Sequence, residues 1–141
     1  MFFSTLRNGN ARGRVRWGLA ALALVSMAAV FAVSASPPDR LPDTPPSFLG
    51  LRADLAAHMA MYAVLGAEWA LVLWAFGCLR RHGLAASGGA LLIVAGYGLL
   101  LEAYQQGVPG RSASWDDVVA NAAGAGLGVF VIATAARLRA S

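Results

Sequence analysis

The sequence predicts an all-α integral membrane protein, a bundle of four transmembrane helices in a single domain over residues 1–141. Three observations carry this. The chain is 58% hydrophobic and only 13% charged, whereas soluble domains run at about 25% charged. Its apolar residues fall into four runs of roughly membrane-spanning length. Its arginines sit between those runs rather than within them. A mean hydropathy of +0.61 agrees with these signs.

Taken in order, residues 1–16 carry Arg7, Arg12, Arg14 and Arg16 without an acid. Trp17 to Ala35 is then an apolar run of 19 residues, enough for a first spanning helix over about 17–35. Val33-Ser34-Ala35 also fits the small-residue pattern of a signal-peptide cleavage site, but the apolar core is longer than a signal core, which favours a retained helix. Residues 36–53 hold five of the six prolines and read as an extended loop. The second helix is expected over 55–77, followed by a short basic turn, Leu79-Arg80-Arg81-His82-Gly83. A glycine-rich third helix is expected over 87–105 and a fourth over 116–136. There is no internal repeat and no separate soluble domain.

Four helices place Arg7, Arg12, Arg14, Arg16, Arg80, Arg81, Arg137 and Arg139 on one side and Arg40, Arg52 and Arg111 on the other, eight against three. The positive-inside rule then puts both termini in the cytoplasm and the stretch from Glu102 to Asn121 outside. The same scatter of arginines argues against nucleic acid as the partner of a chain with pI near 10.2. The bilayer is the expected partner. The single cysteine, Cys78, excludes a disulfide framework.

The outward stretch EAYQQGVPGRSASWDDVVAN is the densest polar segment between two apolar runs. Glu102 and Gln105, three apart, share a helical face, as do Asp117 and Asn121, four apart. Pro109-Gly110 makes a turn that presents Arg111. Ser114 to Asp117 has the spacing of a capping box, so one aspartate of the Asp116–Asp117 pair has a structural explanation. On the second helix Asp54, His58 and Tyr62 recur every four residues, a stripe that drifts by about 40° per step. A carboxylate one turn from an imidazole orients it for acid–base work or metal ligation, although the same residues also suit a helix start at the membrane interface. Glu68 stands near mid-helix and is expected to face the bundle, paired or protonated. Gly124 and Gly128 form a GxxxG ridge for close helix packing. Trp17, Trp69, Trp74 and Trp115 are read as interface anchors and packing residues.

The order D-x-x-x-H-x-x-x-Y-x-x-L-G from Asp54 to Gly66, then Glu102, Gln105, Pro109-Gly110-Arg111, Asp116-Asp117, Asn121, Gly124 and Gly128, resembles the VanZ-like family over roughly residues 20–136. Leu55 stands where that family often has lysine, so no role for such a cation carries over. The resemblance implies a small multi-pass protein of the bacterial cytoplasmic membrane. The family's founding member is associated with low-level resistance to the glycopeptide teicoplanin, and no agreed reaction comes with the family.

Two functions compete. In the first, Asp54, His58, Glu102, Asp116 and Asp117 are candidate catalytic groups of an outward-facing envelope site. Tyr62, Gln105, Arg111 and Asn121 are its candidate binding residues, and Arg111 grips a phosphate or carboxylate of an envelope lipid or glycan precursor. In the second, the polar cluster only pins helix ends in a non-enzymatic scaffold or partner protein. Phosphate-binding glycine loops, nucleophile elbows and HExxH are absent from the sequence. His58, Asp54, Glu102 and an aspartate are compatible with a metal. With only two histidines, one on the opposite side, the sequence assigns no metal. It identifies no cofactor either.

Overall fold

In a computed structural model of the protein, residues 9–36, 47–48, 51–110 and 114–139 are described. Four helices account for nearly all of them: α1 Gly9–Ala35, α2 Ala53–Ala75, α3 Cys78–Gln105 and α4 Trp115–Leu138. Each is long and apolar enough to cross a membrane. The bundle's surface is apolar by aqueous standards, and a few polar side chains lie within its largely apolar interior. Leu92, Leu100, Phe130 and Leu84 lie on its surface, while Glu102, Gln105 and Asn121 are buried. In hydrocarbon this arrangement is favourable, because helices satisfy their own backbone groups and lipid tails solvate apolar side chains.

The helices alternate in direction. At one end Trp17 of α1 packs edge-on against Phe76, just past α2, with ring centroids 5.5 Å apart. At the other, Phe31 of α1 meets Tyr104 of α3 at 5.3 Å. The end that holds Trp17 and Phe76 is therefore where α2 finishes and α3 and α1 begin. The opposite end is where α2 and α4 begin. Trp17 and Trp115, 70% and 79% exposed, mark the two ends, as amphipathic rings do at membrane interfaces.

The parallel pair α2 and α4 forms the most extensive interface, and small residues explain it. A Cβ built on Gly124 would fall on the Met59 carbonyl, and one on Gly128 would meet the Ala63 carbonyl and the Ala67 amide. From the other side, Gly66 lies against the Ala125 carbonyl. Without a hydrophobic drive between helices in lipid, backbone approach of this kind supplies the van der Waals contact that holds them together. Helix α1 is tied on by Ser26, whose hydroxyl donates to Glu68 Oε1 at 2.9 Å, and by the Tyr97 hydroxyl, which donates to the Met27 carbonyl at 2.6 Å. Glu68 thus faces the bundle, with Oε1 engaged and Oε2 buried without a hydrogen-bond partner among the described residues.

Three segments differ from expectation. The basic stretch 79–82 is helical rather than a turn, and α3 begins at Cys78, some nine residues before the expected 87. Gly77, at φ 82°, ends α2 in the left-handed conformation, and the next residue restarts a helix. The break instead falls inside α3 at Gly83 (φ 32°, ψ −98°), a geometry costly for a residue with a Cβ. Helix α1 likewise begins at Gly9, because Ala11 to Arg16 continue the helix past the apolar run. Of the proline-rich segment, Ser47–Phe48 (β1) and Leu51–Arg52 (β2) pair antiparallel, Ser47 opposite Arg52. Residues 37–46 and 49–50 of it lie outside the described residues.

Candidate functional site

The polar residues gather where α2 and α4 begin and α3 ends, and they form two layers. The outer layer is exposed. Arg52 grips Asp54 with two prongs, Nη2 to Oδ2 at 2.6 Å and Nε to Oδ1 at 3.2 Å. Its remaining Nη1 reaches Asp116 Oδ2 of α4 at 3.4 Å. The Asp54 hydrogen bond raises the Arg52 pKa above its ordinary value. Both carboxylates also lie at helix N-termini, where the backbone dipole favours negative charge. All three side chains are at least half exposed, so the contacts order the surface more than they stabilise it. Arg52→Ala is accordingly expected to leave the melting temperature of purified protein at physiological salt within error of wild type. A clear drop would show that the hairpin depends on this pair.

The inner layer is more deeply set, with Glu102 and Asn121 buried and His58 and Asp117 partly so. His58 of α2 places Nδ1 2.9 Å from Asn121 Oδ1 of α4. Asn121 is 1% exposed and Glu102 3% exposed. One ligand-capable atom each from His58, Glu102 and Asp117 lie within 4.8 Å of one another, so three helices contribute to a single point. Oδ1 of an amide only accepts, so in the neutral imidazole this contact places the hydrogen on Nδ1 and the lone pair on Nε2. Glu102 Oε2 accepts from the Ser114 backbone amide at 3.3 Å, which pins the start of α4 to α3. Asp117 Oδ1 and Asn121 Nδ2 are buried and have no hydrogen-bond partner among the described residues.

The capping arrangement differs from the expected box. Ser114 Oγ accepts from the Asp116 amide at 3.2 Å, a one-sided cap, and Asp117 turns inward instead of serving the backbone. Gln105 is buried, but its amide donates to the Ser34 carbonyl at 3.4 Å, away from the inner cluster and toward α1. Tyr62 is buried one turn deeper than His58, against Gly98, where a Cβ would stand 2.8 Å from its ring. Asp54 belongs to the outer layer, not to the His58 cluster. Arg111 lies outside the described residues. Two residues that matter here, Arg52 and Ser114, were not singled out as site residues by sequence reasoning. The spacing Arg52-Ala53-Asp54 at a helix start was the available signal for the first.

A cleft of about 160 Å³ adjoins the cluster between α3 and α4, lined by Leu99, Glu102, Gln106, Ser114, Trp115 and Val118. Its lining combines polar Glu102, Gln106 and Ser114 with apolar Leu99, Trp115 and Val118. Residues 5–136 match the family model described as VanZ/LLP1. The chain belongs to the VanZ/LLP1 family. No curated protein and no solved structure matches it. Membership makes this a membrane protein of the VanZ kind, and the multi-pass architecture agrees.

Proposed function

We propose that this VanZ/LLP1 protein binds, at the outer face of the cytoplasmic membrane, the anionic head of a lipid-linked envelope component. The observation that carries the reading is the pairing of a buried polar cluster with an adjacent amphipathic cleft. His58, Glu102, Asp117 and Asn121 converge, Glu102 and Ser114 also line the cleft, and Leu99, Val118 and Trp115 supply its apolar lining. A molecule with a polar head and an apolar tail matches that combination better than a fully soluble one. Enclosure raises the worth of each polar contact, and His58 with Nε2 unprotonated is suited to accept a proton from a bound group.

Direct binding is the test. Purified full-length protein is mixed with polyprenyl phosphate or with phosphatidylglycerol and analysed by native mass spectrometry. Stoichiometric retention of polyprenyl phosphate that weakens at least tenfold in Glu102→Gln supports the reading. Equal retention of both lipids by wild type and variant sinks it. Arg111 is the proposed anion grip. Arg111→Lys keeps the charge but lacks the planar fork, so it is expected to fold as wild type and lose most binding. A lysine variant that binds normally reduces Arg111 to a counter-ion.

Orientation is tested separately. Reporter fusions at residue 45 and at the C-terminus are expected to report opposite sides of the membrane, with the C-terminus cytoplasmic. The reverse assignment would turn the cluster toward the cytoplasm and remove the outer-leaflet ligand. The scaffold reading draws on the Arg52 ion pairs and the Glu102–Ser114 bond, which pin helix ends whether or not anything binds.

A further inference from the structure

We propose that His58, Glu102 and Asp117 form a binding site for one divalent transition-metal ion, of the Zn²⁺ or Mn²⁺ class. Their ligand atoms come from three different helices and lie within 4.8 Å of one another. Tetrahedral Zn²⁺ with bonds of ~2.0–2.2 Å holds neighbouring ligand atoms roughly 3.5 Å apart, so side-chain rotation without backbone movement closes the set. An imidazole with two carboxylates suits Zn²⁺ and Mn²⁺ better than Mg²⁺ or Ca²⁺, which prefer all-oxygen shells.

Two further observations point to a cation. Asp117 Oδ1 is buried at the cluster and has no hydrogen-bond partner among the described residues, although an acceptor-only atom needs one. Asn121, 1% exposed, places its acceptor Oδ1 2.9 Å from His58 Nδ1. That is the arrangement by which a neighbouring acceptor fixes a metal-ligating histidine, leaving Nε2 to coordinate. The Ser114 amide on Glu102 Oε2 at 3.3 Å takes one of several lone-pair sites and leaves the others for a metal.

The charge of the site gives the metal a task. Two carboxylates this close repel an incoming anion, and a dication reverses the local sign. With three protein ligands a fourth position remains, and the cleft beside Glu102 and Ser114 is where a phosphate or carboxylate oxygen would complete it. The metal itself stands on the geometry above, and only its task of holding an anionic head rests on the proposed function.

The experiment uses full-length protein in detergent, stripped with a chelator and titrated with ZnCl₂ and with MnCl₂ by calorimetry, with bound metal counted by mass spectrometry. One ion per chain is expected, with affinity lowered at least tenfold in His58→Gln, Glu102→Gln and Asp117→Asn. Asp54→Asn and Asp116→Asn are expected to bind as wild type. Monodispersity and helical circular dichroism identify any variant that fails to fold, and the remaining members of the triad then decide. Co²⁺ supplies a second readout, since its visible bands report a change of ligand set in each variant. Absence of stoichiometric uptake, or uptake that the three variants leave unchanged, overturns the site. So does uptake that appears only in Arg111→Ala, because a guanidinium would then be the resident cation. Polyprenyl phosphate retention is measured with and without EDTA in parallel. Retention that survives EDTA, with no metal uptake, sinks the metal and keeps the ligand. Metal uptake without lipid retention does the reverse.

Discussion

Gly128→Ala is expected to destabilise the protein by about 3 kcal/mol, the upper end of the usual cost of overpacking, although only one methyl group is added. The reason lies in what that methyl meets. A Cβ at Gly128 would overlap the Ala63 carbonyl and stand 2.7 Å from the Ala67 amide nitrogen, both of them backbone atoms of α2. A flexible side chain gives way cheaply, whereas a helix backbone moves only as a unit. The α2–α4 pair must therefore separate, losing contact along its whole length, including Gly124 against Met59 and Gly66 against Ala125. Gly126 lies two residues away on the same helix with nothing near its Cβ position. Gly126→Ala removes a poor helix former without a clash and is expected to be neutral or stabilising, by up to ~1 kcal/mol. SDS titration of folded protein in mixed micelles measures both. If the two variants behave alike, α2 and α4 do not pack as described. Because His58 rides on α2 and Asn121 on α4, Gly128→Ala is also expected to weaken any ligand binding at the cluster.

Asn121→Leu is expected to separate function from stability. The substitution keeps the branched side-chain skeleton, with somewhat bulkier methyl groups in place of the amide oxygen and nitrogen. It removes a hydrogen bond to His58 worth ~1 kcal/mol but also deletes a buried donor, Nδ2, that has no partner among the described residues and costs about 1–3 kcal/mol. Folding free energy should therefore stay within about 1 kcal/mol of wild type, or rise slightly. Binding should not stay. Without an acceptor at Nδ1 the imidazole is free to change tautomer and rotate, and loss of such an orienting partner typically costs ~10–100-fold in affinity or activity. The measurement is SDS titration beside Zn²⁺ and polyprenyl phosphate binding on the same preparation. Wild-type binding in Asn121→Leu would make the His58–Asn121 contact a packing feature only. A stability loss of several kcal/mol, well beyond the ~1 kcal/mol of one neutral hydrogen bond, would show that Asn121 holds α2 and α4 together and would favour the scaffold.

The sequence by itself determined the four spanning helices, because a bilayer asks one question of each segment, whether it is apolar over the required length. Trp17 to Ala35 answers it without reference to any other part of the chain. It also determined that most of the polar residues stand at helix ends, and the alternation of directions followed from successive runs each crossing the membrane.

Which polar residues meet was decided only by the tertiary structure. Asp54 and His58 are one turn apart on α2 and look like partners on a helical wheel. Yet Asp54 is taken by Arg52 two residues before it, while His58 turns inward to Asn121. Glu102 and Gln105 share a face of α3, but one bonds the Ser114 amide of the α4 cap and the other a carbonyl of α1. A wheel reports angles around a single axis. It does not report what stands opposite, which depends on the rotation and depth of neighbouring helices. Those are set at Gly66, Gly124 and Gly128, where backbone meets backbone and only one register fits. At Gly83 a glycine permits φ 32° without demanding it, so the break could not be read from the residue alone.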